Sequence, residues 1–146
     1  MVGLVVVLDQ VTKYLVRANL ALGESVPQDG PVRITYVTNT GAAFGILQGQ
    51  TVFLMVTTLF GLAAILLYYL YPPMEHGILR LALGLQLGGA VGNLADRVRM
   101  GKVTDFIDVG PWPSFNVADS SIVVGVAIII AFFLLAESQH RQAQGP

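Results

Sequence analysis

The chain has 146 residues, of which 54% are hydrophobic and 12% charged, with a formal net charge of −1 and a mean hydropathy of +0.68. That charged fraction is about half of what an ordinary soluble domain carries, which points to lipid as the solvent, and with no Lys/Arg run there is no phosphate-binding face and no nucleic-acid partner is expected. Cysteine is absent, which removes disulfides, thiol catalysis and thiolate metal sites together.

A helical crossing takes about 20 apolar residues, so the length has room for roughly four. The opening run Met1 to Leu8 lacks the basic region and small-residue cleavage site of a secretory signal. It is read as the start of a first span over residues 2–22 that continues past Asp9, with residues expected upstream of Met1. Asp9, Lys13 and Arg17 recur every four positions and so share one helix face, the other being Val, Leu and Ala. A polar segment, Gly23 to Gly30, precedes Val32 to Asn39, whose partial alternation and β-branched residues predict a short strand. Gly41, Gly45 and Gly49 then mark a loop.

A second span is predicted over residues 51–71, without charge and ending in Tyr68, Tyr69 and Tyr71 at headgroup level before Pro72 and Pro73 stop it. The third, residues 78–97, carries Gly84, Gly88 and Gly92 at four-residue spacing, a ridge on which another helix can pack closely, and ends in Asn93, Asp96 and Arg97. Val98 to Ser114 reads as a linker holding Asp105, Asp108 and the turn former Pro111-Trp112-Pro113. The fourth span is predicted over residues 116–136 with Asp119 in its first turn, followed by a disordered hydrophilic tail, residues 137–146. The expected architecture is one integral-membrane domain, residues 1–146: a membrane all-α fold, a bundle of four transmembrane helices. An even number of spans leaves the segments around Asn39 and Asp105 on one side of the membrane. Lys13, Arg17, Arg33, Arg97, Arg99 and Lys102 lie at or near that side, so the positive-inside rule taken literally makes it cytoplasmic.

Carboxylates inside a membrane usually face a partner or a wet cavity, because an ionised Asp at a helix centre costs about 2.5 to 3.5 kcal/mol on insertion scales. Asp9 with Lys13 has a plain reading as an internal ion pair. Asn93 and Arg97 share a face while Asp96 is offset, which fits either a helix end surfacing among headgroups or a lined pocket. Asn116 and Asp119 begin the fourth span, and Asp105 and Asp108 arrive from the linker on the same side. Asp119 alone is explained by a helix N-terminus, and Asp108 by a turn. Two carboxylates facing each other in a dehydrated site share a proton, the arrangement of general acid and base hydrolysis. Only His76 and His140 are present, at the opposite end, which argues against a Ser-His-Asp triad; there is no HExxH motif, and no metal is expected.

Four blocks together resemble one family, the lipoprotein signal peptidases (signal peptidase II): Asp9-Gln10-Val11-Thr12-Lys13, Asn39-Thr40-Gly41-Ala42-Ala43-Phe44, Gly92-Asn93-Leu94-Ala95-Asp96-Arg97, and Val103-Thr104-Asp105-Phe106 with Phe115-Asn116-Val117-Ala118-Asp119. The resemblance implies a bacterial inner-membrane aspartic endopeptidase of four helices. It implies a small extracytoplasmic β-cradle between helices 1 and 2, and an active site near the extracytoplasmic face, against the naive charge count. The implied substrates are diacylglyceryl-modified prolipoproteins cut before the lipid-modified Cys, with membrane lipid as the surroundings, no cofactor, and inhibition by globomycin-type cyclic peptides. Asp105 and Asp119 match the catalytic positions; Asn39, Asn93, Arg97 and Asn116 match pocket positions; Asp9, Lys13 and Asp96 match supporting ones. The Gly41 to Gly49 loop is expected to cover the site. The alternatives are a small transporter using the carboxylates as a proton relay and an assembly subunit whose buried charges serve packing.

Overall fold

The first helix, α1 (Val2–Asn19), buries Val5, Asp9, Lys13 and Val16, one stripe at helical spacing. Leu4, Val7, Leu8, Val11, Tyr14 and Leu15 are exposed. It is therefore inside out relative to a soluble helix, with its charged stripe toward the protein and its apolar face outward. The computed structural model describes residues 1–41, 47–70 and 76–143, apart from the side chains of residues 69 and 138–143. The Ala42 to Phe44 part of the second block, Gly45 of the expected cover and the Pro72-Pro73 stop lie outside the described residues. α1 ends at Leu20, whose backbone is extended, slightly before the expected Leu22.

Two strands follow, β1 (Ser25–Val26) and β2 (Arg33–Asn39), the second close to its expected bounds. α2 (Thr51–Leu70) is apolar on all sides. Most of its large side chains are exposed, as befits a helix solvated by lipid. α3 (Gly77–Met100) packs against α1, α2 and α4 and is the centre of the bundle. A Cβ added at Gly88 would lie 2.6 Å from Val5 Cβ, and one at Gly92 the same distance from Asp9 Oδ2. The glycine ridge is thus the seat of α1, within one chain. α3 runs three residues past Arg97 and stops at Gly101, whose left-handed φ of 70° returns its N–H to the Arg97 carbonyl.

The expected linker contains a third strand, β3 (Val103–Asp108). It pairs antiparallel with β2, Asn39 opposite Val103 and Val37 opposite Asp105, giving a three-stranded sheet of order β1-β2-β3. The cradle is therefore not confined to the stretch between α1 and α2. Burial on nearly every residue hides the period-2 signal of β3, and its two aspartates are poor strand formers. α4 (Val117–Ala143) completes the fold. Its backbone is helical through Ala143, so helix replaces the disordered tail expected from residue 137; residues 144–146 lie outside the described residues. Among the described residues, three helices can cross a membrane by length and composition, in α2, α3 and α4. α1, at 18 residues, carries Asp9, Lys13 and Arg17.

Candidate active site

β3 hangs from β2 on one side, and on the other Phe106 and Ile107 donate their N–H groups to the Phe115 carbonyl. This clamps Asp105 between the sheet and the start of α4. Asn116 immediately precedes α4. Its Oδ1 accepts the Asp119 N–H at 2.9 Å while Asp119 Oδ2 accepts the Asn116 N–H at 3.3 Å, a reciprocal capping box. The Asn-x-x-Asp spacing carried that signal in the sequence. It places Asn116 outside the helix rather than on its first face.

Every oxygen of the two carboxylates has a donor. Asp105 Oδ1 accepts from Asn116 Nδ2 at 2.7 Å, and Oδ2 from Asn39 Nδ2 at 3.1 Å. Asp119 Oδ1 accepts from Asn93 Nδ2 at 2.7 Å. Asp105 is 3% exposed, and its carboxyl is pushed up to about 6, first by burial and then by the charge of Asp119; the amides of Asn39 and Asn116 and the Lys13 ammonium oppose the shift. Asp108 points elsewhere. It accepts from Arg33 at 2.8 Å, Thr35 at 3.0 Å and the Gly110 N–H at 2.9 Å. The Gly110 bond leads in holding its carboxyl below the usual range, with Thr35 and Arg33 adding to it. It is a turn carboxylate.

Asp105 and Asp119 open onto a cavity of about 930 Å³ that Asn39, Asn93 and Arg97 also line, together with Ile122 and Val123 of α4. Arg97 Nη2 donates to the Gly41 carbonyl at 3.0 Å, and its buried Nε has no hydrogen-bond partner among the described residues. The cavity thus joins a polar head to an apolar wall on a membrane helix, which suits a substrate with a polar backbone and apolar attachments.

Asp9, Lys13 and Asp96 form a second cluster joined to the first through Asn93. Lys13 Nζ lies 2.9 Å from Asp9 Oδ2, 3.3 Å from Asp96 Oδ2 and 2.9 Å from Asn93 Oδ1, and all three charged groups are buried. Three contributors are given no site role by the sequence, although Arg17 is placed on the face of Asp9 and Lys13. Gln10 donates to the Gly92 carbonyl and to Asp96, both at 3.2 Å. Arg17 donates to Thr104 Oγ1 at 3.0 Å, and the Thr104 N–H to Asp96 Oδ2 at 3.0 Å. Gln10 and Thr104 sit inside the quoted blocks, and that adjacency was the available signal.

The family described as Signal peptidase (SPase) II matches residues 1–135. The chain belongs to the signal peptidase II family. It is 49% identical over 142 residues to the lipoprotein signal peptidase of Moorella thermoacetica, covering 95% of this chain and 94% of that protein. With that of Halothermothrix orenii the identity is 45% over 130 residues, covering 88% and 89%. A solved bacterial membrane enzyme, determined by the in meso method at 2.3 Å resolution, superimposes with a TM-score of 0.89 at 36% identity, covering 94% of this chain and 87% of that one. This member of the family is accordingly a bacterial membrane protein and a peptidase of lipoprotein maturation, and its aspartic mechanism follows from the family.

Proposed function

We propose that Asp105 and Asp119 are the catalytic pair, and that the enzyme cleaves diacylglyceryl-modified prolipoproteins before the lipid-modified Cys. The observation that carries this reading is the meeting of two carboxylates from separate elements, β3 and the start of α4, at one cavity with an asparagine donor on each. Such a pair holds one proton. The ionised member takes a proton from water as it attacks the scissile carbonyl, and the protonated member gives its own to the carbonyl oxygen. Asn39, Asn93 and Asn116 orient the carboxylates. Arg97 offers a donor to the substrate backbone, and the wall of Ile122 and Val123 receives apolar substrate groups. No metal or other cofactor enters the reaction, and globomycin-type cyclic peptides compete for the same cavity.

The single domain has four spans, α1 being the first. Its 18 residues rise about 27 Å, close to the thickness of the hydrocarbon core, and its exposed side is apolar while its charges are covered. The carboxylate pair lies at the extracytoplasmic face of the inner membrane. Four of the six charges in the positive-inside count that opposes this are engaged within the protein. Lys13 is held by Asp9 and Asp96, Arg17 lies 3.8 Å from Asp96, Arg33 pairs with Asp108, and Arg97 binds the Gly41 carbonyl.

The test is cleavage of a diacylglyceryl prolipoprotein peptide by purified Asp105→Asn and Asp119→Asn. Each is expected to fold and to lose nearly all turnover, because each removes one member of a proton-sharing pair. Asp108→Asn is expected to lose far less. Substantial turnover in either of the first two, or equal loss in the third, overturns the assignment.

A further inference from the structure

Each asparagine that donates to the carboxylate pair is turned by a donor on its other side. Asn39 Oδ1 accepts the Gly41 N–H at 2.8 Å, and Asn116 Oδ1 accepts the Asp119 N–H at 2.9 Å. For Asn93 the corresponding donors are the Lys13 ammonium at 2.9 Å and, at a longer 3.2 Å, the Asn116 amide. An ammonium has three donors and no acceptor. It admits only the oxygen of Asn93, so the amide NH2 must face Asp119, where it lies at 2.7 Å. The opposite orientation would set NH2 against NH3+ and a carbonyl against a carboxylate.

The two anions that hold Lys13 reach the same pair by a second route. Asp9 Oδ1 accepts the N–H of Ala118 at 3.0 Å, and Asp96 Oδ2 accepts that of Thr104 at 3.0 Å. Those are the residues immediately before Asp119 and Asp105. A wholly buried ion cluster of this kind is a poor device for stability, since well-packed apolar residues usually serve as well or better. Its connections give it another use.

We infer that Lys13 is a positioning residue of the peptidase: it fixes Asn93 as a donor to Asp119 and, through Asp9 and Asp96, sets the backbone from which both catalytic carboxylates project. The inference rests on the assignment of Asp105 and Asp119 as the reacting groups. The charged groups that face Asp105 are Asp119 from α4, Arg97 from α3 and Lys13 from α1; Asn39 from β2 is neutral. Those that face Lys13 are Asp9 and Asp96 in direct contact, with Asp105 and Asp119 beyond them.

Lys13→Met/Asp96→Asn removes one charge of each sign and keeps an oxygen for the Thr104 N–H. With the prolipoprotein peptide, kcat is expected to fall about 100-fold, the cost of a small misplacement of reacting groups, with KM within about threefold. Asn93→Asp, which leaves Lys13 an oxygen but offers Asp119 no amide donor, is expected to lose kcat similarly. Adding it to the double variant is expected to cost little more. A lower Tm with kcat unchanged, additive losses, or a fully active Asn93→Asp overturns the inference, the last even where the double variant does not fold. Asp119→Asn is assayed alongside. If it is inactive while the Lys13 variant is normal, only this inference falls; if it cleaves like the unsubstituted enzyme, the dyad falls and takes this inference with it.

Discussion

Replacing Asp105 by asparagine is expected to stop cleavage and, above about pH 6, to make the protein more stable. In the folded protein the carboxyl is raised from its ordinary 3.8 to about 6, so holding it ionised costs roughly 3 kcal/mol at 1.36 kcal/mol per pH unit. Between pH 3.8 and about 6 the folded state keeps a proton that the unfolded chain has released. Stability therefore falls as the pH rises through that window, and the full cost stands above it. The neutral amide removes this cost. It also turns one carboxylate oxygen into a donor facing the amide of Asn39 or Asn116, which returns about 1 kcal/mol. The net gain is about 1 to 2 kcal/mol at pH 8, and close to none, or a small loss, near pH 4. At about 2 to 4 °C per kcal/mol, the Tm of the detergent-purified variant should exceed that of the unsubstituted protein by several degrees at pH 8. A thermal ramp followed by the fluorescence of the single tryptophan, Trp112, measures both. A Tm difference that does not change between pH 4 and pH 8 would refute the reasoning, since it would mean that Asp105 carries no ionisation penalty.

Two further outcomes test the fold and its placement. Gly88→Ala puts a methyl 2.6 Å from Val5 Cβ and 3.1 Å from the Val2 carbonyl, so it should cost about 1 to 3 kcal/mol by overpacking. Gly61→Ala on α2, with nothing within 4 Å, should be neutral or stabilising, and equal Tm values for the two would contradict the α1–α3 seat. Since the chain has no cysteine, Gln28→Cys in the exposed turn between β1 and β2 provides a single label site. A membrane-impermeant maleimide should modify it in intact spheroplasts, and labelling only after lysis would put the site on the cytoplasmic face.

What could be read from the sequence divides by the range of the interactions involved. α2 and α4 announce themselves as apolar runs, and the stripe of α1 as charges four apart, because those signals are local. β2 shows its alternation on a half-buried strand. β3 does not, since it is buried on nearly every residue and its register depends on pairing with a strand over 60 positions away, as in the Asn39 to Asp105 hydrogen bond at a separation of 66. The same holds for the bonds of Gln10 to Gly92 and Asp96 and of Arg17 to Thr104, which span 82 to 87 positions. Choosing Asp105 over Asp108 from the sequence needed the family motif. The structure adds a physical reason: the two are an odd number of positions apart on one strand and so point to opposite faces, one meeting Asn39 and Asn116, the other Arg33 and Gly110.

The features that disqualify α1 as a span by composition are those that fix it in the bundle. Against lipid, apolar side chains give a helix no preference for one neighbour, so a specific seat has to come from close packing and polar contacts. α1 has both on one stripe. Val5 fits Gly88, Asp9 fits Gly92, and Asp9 and Lys13 reach across to Asn93, Asp96 and Ala118. Each of those charges lowers the hydropathy of the helix while being covered by α3 and α4, so none of their cost is met in lipid. On the proposed four-span reading, the charges of α1 make it look less like a span than α2, which carries none.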